Sequence, residues 1–118
     1  MIIATIRIVA DSENIDKIIE ILSSVKGQVA GKTGCISCLI LQEVNNGNRI
    51  SYEELWENQE QFNKHICSNL YQKILVAIDM SSQPPIVKLA QFRVLQEWNC
   101  LESVCLLRWV TINDGIKL

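Results

Sequence analysis

The middle of the chain switches abruptly from the periodicity of a strand to that of a helix, and this switch constrains the fold more than any other feature. Tyr52, Glu54 and Trp56 are spaced two residues apart, so a strand would place their side chains on one face. Asn58 can then cap a helix whose inner side carries His65. An acid, an indole and an imidazole thus come from adjacent elements, and they either line one cavity or form part of one packed core.

Hydrophobic periodicity predicts the other elements. Alternating apolar residues indicate strands, and apolar residues every three to four positions indicate helices. The predicted strands cover residues 2–10, 35–44, 49–56 and 86–97. The predicted helices cover residues 15–29, 58–66, 68–78 and 101–112. The last helix is predicted from the spacing of five apolar residues: Leu101, Val104, Cys105, Trp109 and Ile112.

This order of elements predicts an α+β fold, a ferredoxin-like four-stranded antiparallel sheet with helices on one face. We expect one domain over residues 1–97, with residues 98–118 as a C-terminal helical extension of it. Residues 38–41 are apolar at every position, which predicts that both faces of the second strand are covered. Because helices cover one face, we expect a second copy of the chain to cover the other, which makes the protein a homodimer.

The composition argues against several functional classes. The net charge is −2 and the 11 basic residues form no cluster, so no nucleic acid partner is expected. The chain starts with Met1-Ile2-Ile3 rather than a basic signal-peptide region, and its apolar runs are too short to span a membrane. We therefore expect a cytoplasmic protein with no membrane partner.

The five cysteines are predicted to be reduced thiols, because an odd number without a secretion signal does not indicate a disulfide framework. Cys35 and Cys38 form a C-x-x-C motif, but it lies at the start of a strand rather than at the helix N-terminus that activates a redox thiol. The sequence has no second C-x-x-C to complete a zinc site and only one histidine. It therefore predicts no metal site and no redox site.

Over about residues 1–97 the sequence resembles the antibiotic biosynthesis monooxygenase domain. The resemblance rests on Ile6-Arg7, Gly34-Cys35-Ile36-Ser37-Cys38, Glu54-x-Trp56-Glu57-Asn58, His65, Ser68 and Pro84-Pro85. Residues 99–108 resemble the closing helix of an uncharacterised branch of that family. The resemblance implies a dimeric α+β barrel with a cavity between the sheet and the helices of each subunit.

The family resemblance also implies an activity. Some members oxygenate quinols or polyketide-derived aromatics with molecular oxygen and without metal or flavin, so no cofactor is implied. Others degrade haem with an Asn–Trp–His set. Here Ile6 stands at the expected asparagine position and an aliphatic residue near Leu75 replaces the expected histidine. Trp56 alone remains of that set, so haem degradation is not expected.

The central cluster can be interpreted in two ways. As a site, His65 would be the catalytic acid or base that takes a proton from a phenol or quinol. The substrate-binding residues would be Trp56, Glu54, Tyr52, Arg7 and Tyr71. As a core, His65 would attach its helix to the third strand, Trp56 would be packed, and Glu54 would pair with Arg7 or Arg93, since a buried carboxylate requires a partner.

Three functions follow from these alternatives. The first is a cofactor-independent monooxygenase acting on a small aromatic or quinol. The second is a non-catalytic dimeric module that binds a small apolar ligand, and the third is a structural dimer with a filled core. An open cavity beside Trp56 would favour the first two, and a packed interior would favour the third.

Overall fold

A five-stranded antiparallel sheet and three helices make up the part of the chain that the structure describes. The computed structural model describes the backbone of residues 1–94 and 107–113 and the side chains of residues 1–91. In chain order, the elements are β1 (Ile2–Val9), α1 (Ile15–Ala30), β2 (Cys35–Gln42), β3 (Arg49–Trp56), α2 (Gln59–Ile66), α3 (Asn69–Asp79), β4 (Ile86–Val94) and β5 (Leu107–Asn113). The strands lie in the order β2-β3-β1-β4-β5.

The strand order β2-β3-β1-β4 with the three helices confirms the predicted ferredoxin-like α+β fold. One face of the sheet is buried beneath the helices. The alternation that predicted the strands also identifies the residues whose side chains point to this face. Its residues on β1 and β3 are Ile2, Ala4, Ile6, Ile8, Ile50, Tyr52, Glu54 and Trp56. Helix α1 packs against α3 and β2 and buries the residues predicted for it, among them Ile18, Leu22 and Val25.

The predicted final helix is wrong for residues 107–113, which form strand β5 along the free edge of β4. Trp109 and Ile112, two of the residues that suggested the helix, lie in this strand. Val110, Thr111 and Ile112 explain the difference, because β-branched side chains favour strands and the β4 edge offers unpaired backbone groups. The other residues used for the helix, Leu101, Val104 and Cys105, lie outside the described residues.

The second face of the sheet carries exposed apolar side chains. On β2, Leu39 and Leu41 are 44% and 48% exposed, whereas their neighbour Cys38 is buried. Thus the described part of one chain covers one face of β2, not both. The homodimer that would cover the second face stays a prediction.

Local signals determine where α2 and the preceding loop lie. Asn58 caps α2 as predicted, because its Oδ1 accepts a hydrogen bond from the Gln61 backbone N–H at 2.9 Å. Gly34, with φ +87°, brings the α1–β2 loop against α2, and a Cβ atom there would lie 2.6 Å from the Gln61 side chain. No helix in the described ranges is long and apolar enough to cross a lipid bilayer.

Candidate active site

Glu54 is the centre of a buried polar cluster between the sheet and helices α2 and α3. It is 2% exposed, and its carboxyl oxygens accept hydrogen bonds from two side chains and lie within hydrogen-bond distance of a third. The Tyr52 hydroxyl donates to Oε2 at 2.6 Å, and the Trp56 indole N–H donates to Oε1 at 3.0 Å. The Nε2 atom of His65 lies 2.8 Å from Oε2. These bonds offset the cost of removing the carboxylate from water.

Both ring nitrogens of His65 are engaged. Nε2 contacts Glu54, and Nδ1 lies 3.1 Å from the Nζ atom of Lys32. The ring also stacks on Trp56 with a centroid separation of 4.9 Å and an interplanar angle of 27°. Tyr71 meets it edge-on at 5.4 Å. This geometry agrees with the structural alternative for His65, which joins α2 to β3.

Lys32 was not among the residues predicted from the sequence. It lies in the loop after α1, and no periodic pattern or motif distinguishes it from the other lysines. The fold brings its Nζ atom to 2.9 Å from the Ser68 hydroxyl oxygen as well as to His65. Ser68 Oγ in turn donates to the His65 carbonyl at 2.6 Å. Lys32 is half-buried, so the chain of polar contacts extends from the core towards solvent.

A small void adjoins the cluster. Its volume is about 10 Å³, and it is lined by Ala4, Ile6, Tyr52, Glu54, Phe62 and Tyr71. A void of this volume holds about one water-sized group. The Tyr71 hydroxyl is buried and has no hydrogen-bond partner among the described residues. A carboxylate offers about four acceptor positions, and the described residues occupy three on Glu54. Glu54 and Tyr71 both line the void, whose surface is otherwise almost entirely apolar.

Burial controls the protonation of the two phenols that line this void. It is the main cause that raises the pKa of Tyr52, and the charge of Glu54 raises it further. The same two causes raise the pKa of Tyr71. Both hydroxyl groups are therefore protonated near neutral pH and can donate hydrogen bonds. Within the described part of the chain, the Tyr71 hydroxyl has no existing hydrogen bond that a new acceptor would have to replace.

The two cysteines of the C-x-x-C motif are not activated thiols. Burial raises the pKa of Cys35 to about 11, and neighbouring Cys38 and Glu54 add to this effect. Burial also raises the pKa of Cys38, whose thiol donates to the Tyr52 hydroxyl at 3.3 Å. A protonated thiol is a poor nucleophile and metal ligand. Across the described residues, no group of three or more His, Cys, Asp and Glu side chains is arranged to hold a metal ion.

Two arrangements considered for this region do not occur in the structure, whereas the substrate-binding roles of Arg7 and Trp56 stay predictions. Arg7 does not approach Glu54, because it lies on the second face of the sheet, and Glu54 is paired with His65 instead. Arg7 and Arg49 line a separate depression of about 340 Å³ on that face. Trp56 does not border an open cavity, since it is 1% exposed and packed between Phe62 and His65. The side chain of Arg93 lies outside the described residues.

Of the predicted site residues, the structure brings five together. Tyr52, Glu54 and Tyr71 line the void, whereas Trp56 and His65 lie behind Glu54 and hold it in place. The spacing of two residues along β3 predicted from the sequence that Tyr52, Glu54 and Trp56 lie together. The contribution of α3 through Tyr71 depends on how that helix packs across the sheet.

The sequence profile of the antibiotic biosynthesis monooxygenase family matches residues 1–76. No curated protein sequence matches the chain. The matched residues include β1, α1, β2, β3, α2 and the part of α3 that carries Tyr71, and thus every predicted site residue.

Solved structures share the fold. A candidate antibiotic biosynthesis monooxygenase from Deinococcus radiodurans superposes with a TM-score of 0.70 at 14% identity, over 77% of this chain and 91% of that one. Another candidate from Nitrosomonas europaea gives 0.70 at 14% identity, over 75% and 95%. A conserved protein from Methanosarcina mazei gives 0.69 at 17% identity, over 75% and 88%. At these identities the likeness shows the fold alone.

Proposed function

Because the chain belongs to the antibiotic biosynthesis monooxygenase family, we propose that it oxygenates a small aromatic or quinol substrate with molecular oxygen and without a cofactor. One observation carries this proposal. Glu54 and Tyr71 line one small void, and the Tyr71 hydroxyl has no hydrogen-bond partner within the described part of the chain. A phenolic O–H group is complementary to this pair, because it can donate to the carboxylate and accept from the tyrosine.

In the proposed reaction, Glu54 is the proton acceptor. It takes the phenolic proton, and the resulting phenolate gives electrons to oxygen more readily than the phenol does. Tyr71 donates a hydrogen bond to the phenolate oxygen and stabilises its charge. At the reacting ring carbon, one C–H bond is broken and one C=O bond is formed, and the phenolic C–O bond becomes a second C=O bond, which gives a quinone. The hydrogen from that carbon and the phenolic proton leave with the second oxygen atom as water. The substrate supplies all four electrons, so the balance requires no separate reductant.

Of the two roles considered for His65, this proposal requires the structural one rather than that of a catalytic acid or base. With Glu54 on Nε2 and Lys32 on Nδ1, neither ring nitrogen is free for a substrate. It instead donates to Glu54 and orients the carboxylate, as Trp56 does at the other oxygen. Trp56 likewise becomes a residue that positions Glu54 rather than a cavity wall.

A second candidate function is a non-catalytic module with a filled core. The size of the void favours it, because about 10 Å³ accommodates a hydroxyl group but not an aromatic ring. Catalysis therefore requires the space between β3 and helices α2 and α3 to widen when substrate binds. A module without activity would have no such requirement.

Oxygen consumption with a panel of quinols and hydroxylated aromatics separates the two candidates. The monooxygenase should consume oxygen with at least one substrate and incorporate one labelled atom from ¹⁸O₂ into the product. Glu54→Gln should lower turnover by about 10²–10⁴-fold, because it removes the proton acceptor. Glu60→Gln, on the exposed side of α2, is the matched control and should retain the parent rate. A parent protein that is inert towards the whole panel would favour the filled-core module.

We also propose that two copies of the chain associate through the second face of the sheet. Leu39 and Leu41 lie there together with the depression beside Arg7 and Arg49, and this combination of apolar and polar surface suits an interface. Stable interfaces bury ~1,600 Å² in total. The candidate active site lies on the opposite face, so one subunit contains all of its described residues.

The proposed compartment is the cytoplasm, where thiols stay reduced. Cys35, Cys38 and Cys67 are free in the structure, and Cys100 and Cys105 lie outside the described side chains. Titration in denaturant without reductant should give five thiols per chain, the full cysteine count. Three or fewer would indicate a disulfide and contradict this placement.

A further inference from the structure

The hydrogen bonds that end at Glu54 form a chain whose direction can be assigned. The Trp56 indole nitrogen can only donate, so Glu54 Oε1 accepts. At the outer end, the Ser68 hydroxyl donates to the His65 carbonyl at 2.6 Å, so its oxygen must accept from Lys32. Lys32 is thus a donor to Ser68, and as an ammonium group it is also a donor to His65 Nδ1.

We propose that Lys32 is a positioning residue that fixes the tautomer of His65 and so keeps Glu54 ready to accept a substrate proton. Because Nδ1 accepts from Lys32, the ring proton is on Nε2, which donates to Glu54 Oε2. Every bond in the chain then points inward, from Lys32 through His65 to Glu54. The effect on the tautomer stands by itself, and the effect on catalysis rests on the proposed function.

The opposite tautomer is unfavourable in this geometry. A proton on Nδ1 would face the donor Lys32 at 3.1 Å, and the lone pair of Nε2 would face Glu54 Oε2 at 2.8 Å. Two donors would then face each other at Nδ1, and two acceptors would face each other at Nε2. In a buried cluster such unmatched groups are costly. Lys32 and Glu54 therefore act together on the ring from its two ends.

The geometry also explains how a lysine from another part of the chain reaches this position. Lys32 follows α1 directly, and Gly34 lets the loop approach α2 so closely that a Cβ atom would overlap Gln61. The Glu57 backbone N–H donates to the Gly34 carbonyl at 2.8 Å and attaches the loop to the end of β3. The loop thus presents Lys32 to His65 from the side opposite Glu54.

Nitrogen NMR tests this proposal without any activity measurement. His65 is the chain's single histidine, so uniform ¹⁵N labelling of histidine gives one unambiguous pair of ring nitrogens. At neutral pH the parent should show a protonated Nε2 and an unprotonated, hydrogen-bonded Nδ1. A spectrum with the proton on Nδ1 would overturn the proposal even if no variant could be purified.

Three variants then test whether Lys32 is the cause. Lys32→Met should shift the Nδ1 resonance towards that of a protonated nitrogen, because the group that donates to it is gone. Lys32→Arg retains an obligate donor and should restore much of the parent pattern. Lys64→Met is the control, since Lys64 is next to His65 in sequence but its side chain is 67% exposed. A Lys32→Met ring spectrum equal to the parent's, or an equal shift in Lys64→Met, would refute the role of Lys32.

Oxygen consumption by the same variants separates this inference from the proposed function. If both hold, Lys32→Met should lower turnover, Lys32→Arg should recover part of it, and Lys64→Met should match the parent. If the parent shows the expected tautomer but oxidises no substrate, the monooxygenase proposal fails while the assignment of Lys32 stands. If the parent is active and Lys32→Met shifts the ring resonances without loss of turnover, the catalytic role of Lys32 is refuted.

Discussion

Tyr52 and Tyr71 line the same small void beside Glu54, but their hydroxyl groups differ in hydrogen bonding. The Tyr52 hydroxyl donates to Glu54 at 2.6 Å and accepts from the Cys38 thiol at 3.3 Å. The Tyr71 hydroxyl is buried without a hydrogen-bond partner among the described residues. A buried polar group in that state costs stability, so its presence requires a reason outside the packing of the core.

The two tyrosines form a matched pair of variants. Tyr52→Phe should lower the free energy of unfolding by about 1–3 kcal/mol, because Glu54 loses a donor in a buried setting. Tyr71→Phe should leave stability unchanged or raise it slightly, because the hydroxyl makes no hydrogen bond to the side chains and backbone that the structure describes. Urea unfolding measures both. A large destabilisation by Tyr71→Phe would mean that the hydroxyl has a partner, and unchanged turnover in that variant would contradict its role as a substrate donor.

Trp56→Ala should lower the free energy of unfolding by about 3–5 kcal/mol, the range for a large aromatic residue removed from a packed core. The indole is 1% exposed and contacts Phe62 and His65, so truncation leaves a void in the core. Trp56→Phe keeps the aromatic contacts and removes the bond to Glu54, which should cost less. Val76→Ala on α3 is the control, because Val76 is 54% exposed. A loss below about 1 kcal/mol for Trp56→Ala would contradict the packed arrangement.

Stability should fall as the pH rises from about 9 to about 11. Burial raises the pKa of Cys35 from 9.0 to about 11, so within this window the folded state holds a proton that the unfolded chain has released. Unfolding then releases protons, and each increase in pH favours the unfolded state. Below pH 9 both states are protonated, and this contribution no longer changes with pH. The raised pKa of Cys38 acts in the same direction.

Urea midpoints measured from pH 8 to pH 11 check this expectation. The parent and Cys35→Ala should respond differently, with a shallower alkaline decline in the variant. Cys67→Ala is the control, because Cys67 is exposed and should not change the slope. Identical slopes for the parent and Cys35→Ala would show that this thiol is not protected in the folded state.

Charge placed on the second face of the sheet should dissociate the proposed dimer. Leu39→Asp and Leu41→Asp each introduce a carboxylate where the partner would bury an apolar side chain. Val76→Asp adds the same charge at an equally exposed apolar position on α3 and should leave the dimer intact. Sedimentation velocity at micromolar concentration reports the change. A parent protein that sediments as a monomer would exclude the dimer at that concentration.

The fold could be predicted closely from local patterns. Alternation identified β1 and β3 and the faces they bury, and the spacing of Ile18, Leu22 and Val25 identified α1 and its inner side. These patterns are reliable because each arises within a single helix or strand that turns one face towards the apolar core. The last element was mistaken for a helix because its apolar spacing suited both structures, and pairing with the edge of β4 decided between them.

The candidate site could be predicted in part. Period two along β3 places Tyr52, Glu54 and Trp56 together whatever the rest of the chain does. The sequence could not tell whether these residues border open space, because a void depends on how tightly α2 and α3 pack on the sheet. It suggested Arg7 as the partner of Glu54, yet the same period of two places Arg7 on the other face of β1.

The sequence by itself determined the four-stranded ferredoxin-like sheet, the helical face and the composition of the central cluster, since these depend on residue spacing within single elements. The tertiary structure alone decided that Lys32 contacts His65 and that Trp56 is buried in the core. It also decided that the Tyr71 hydroxyl has no partner among the described residues. Lys32 and His65 are 33 residues apart, and no local periodicity relates them. Such contacts depend on the packing of a loop against a helix, to within a fraction of an ångström, and only the folded chain specifies that packing.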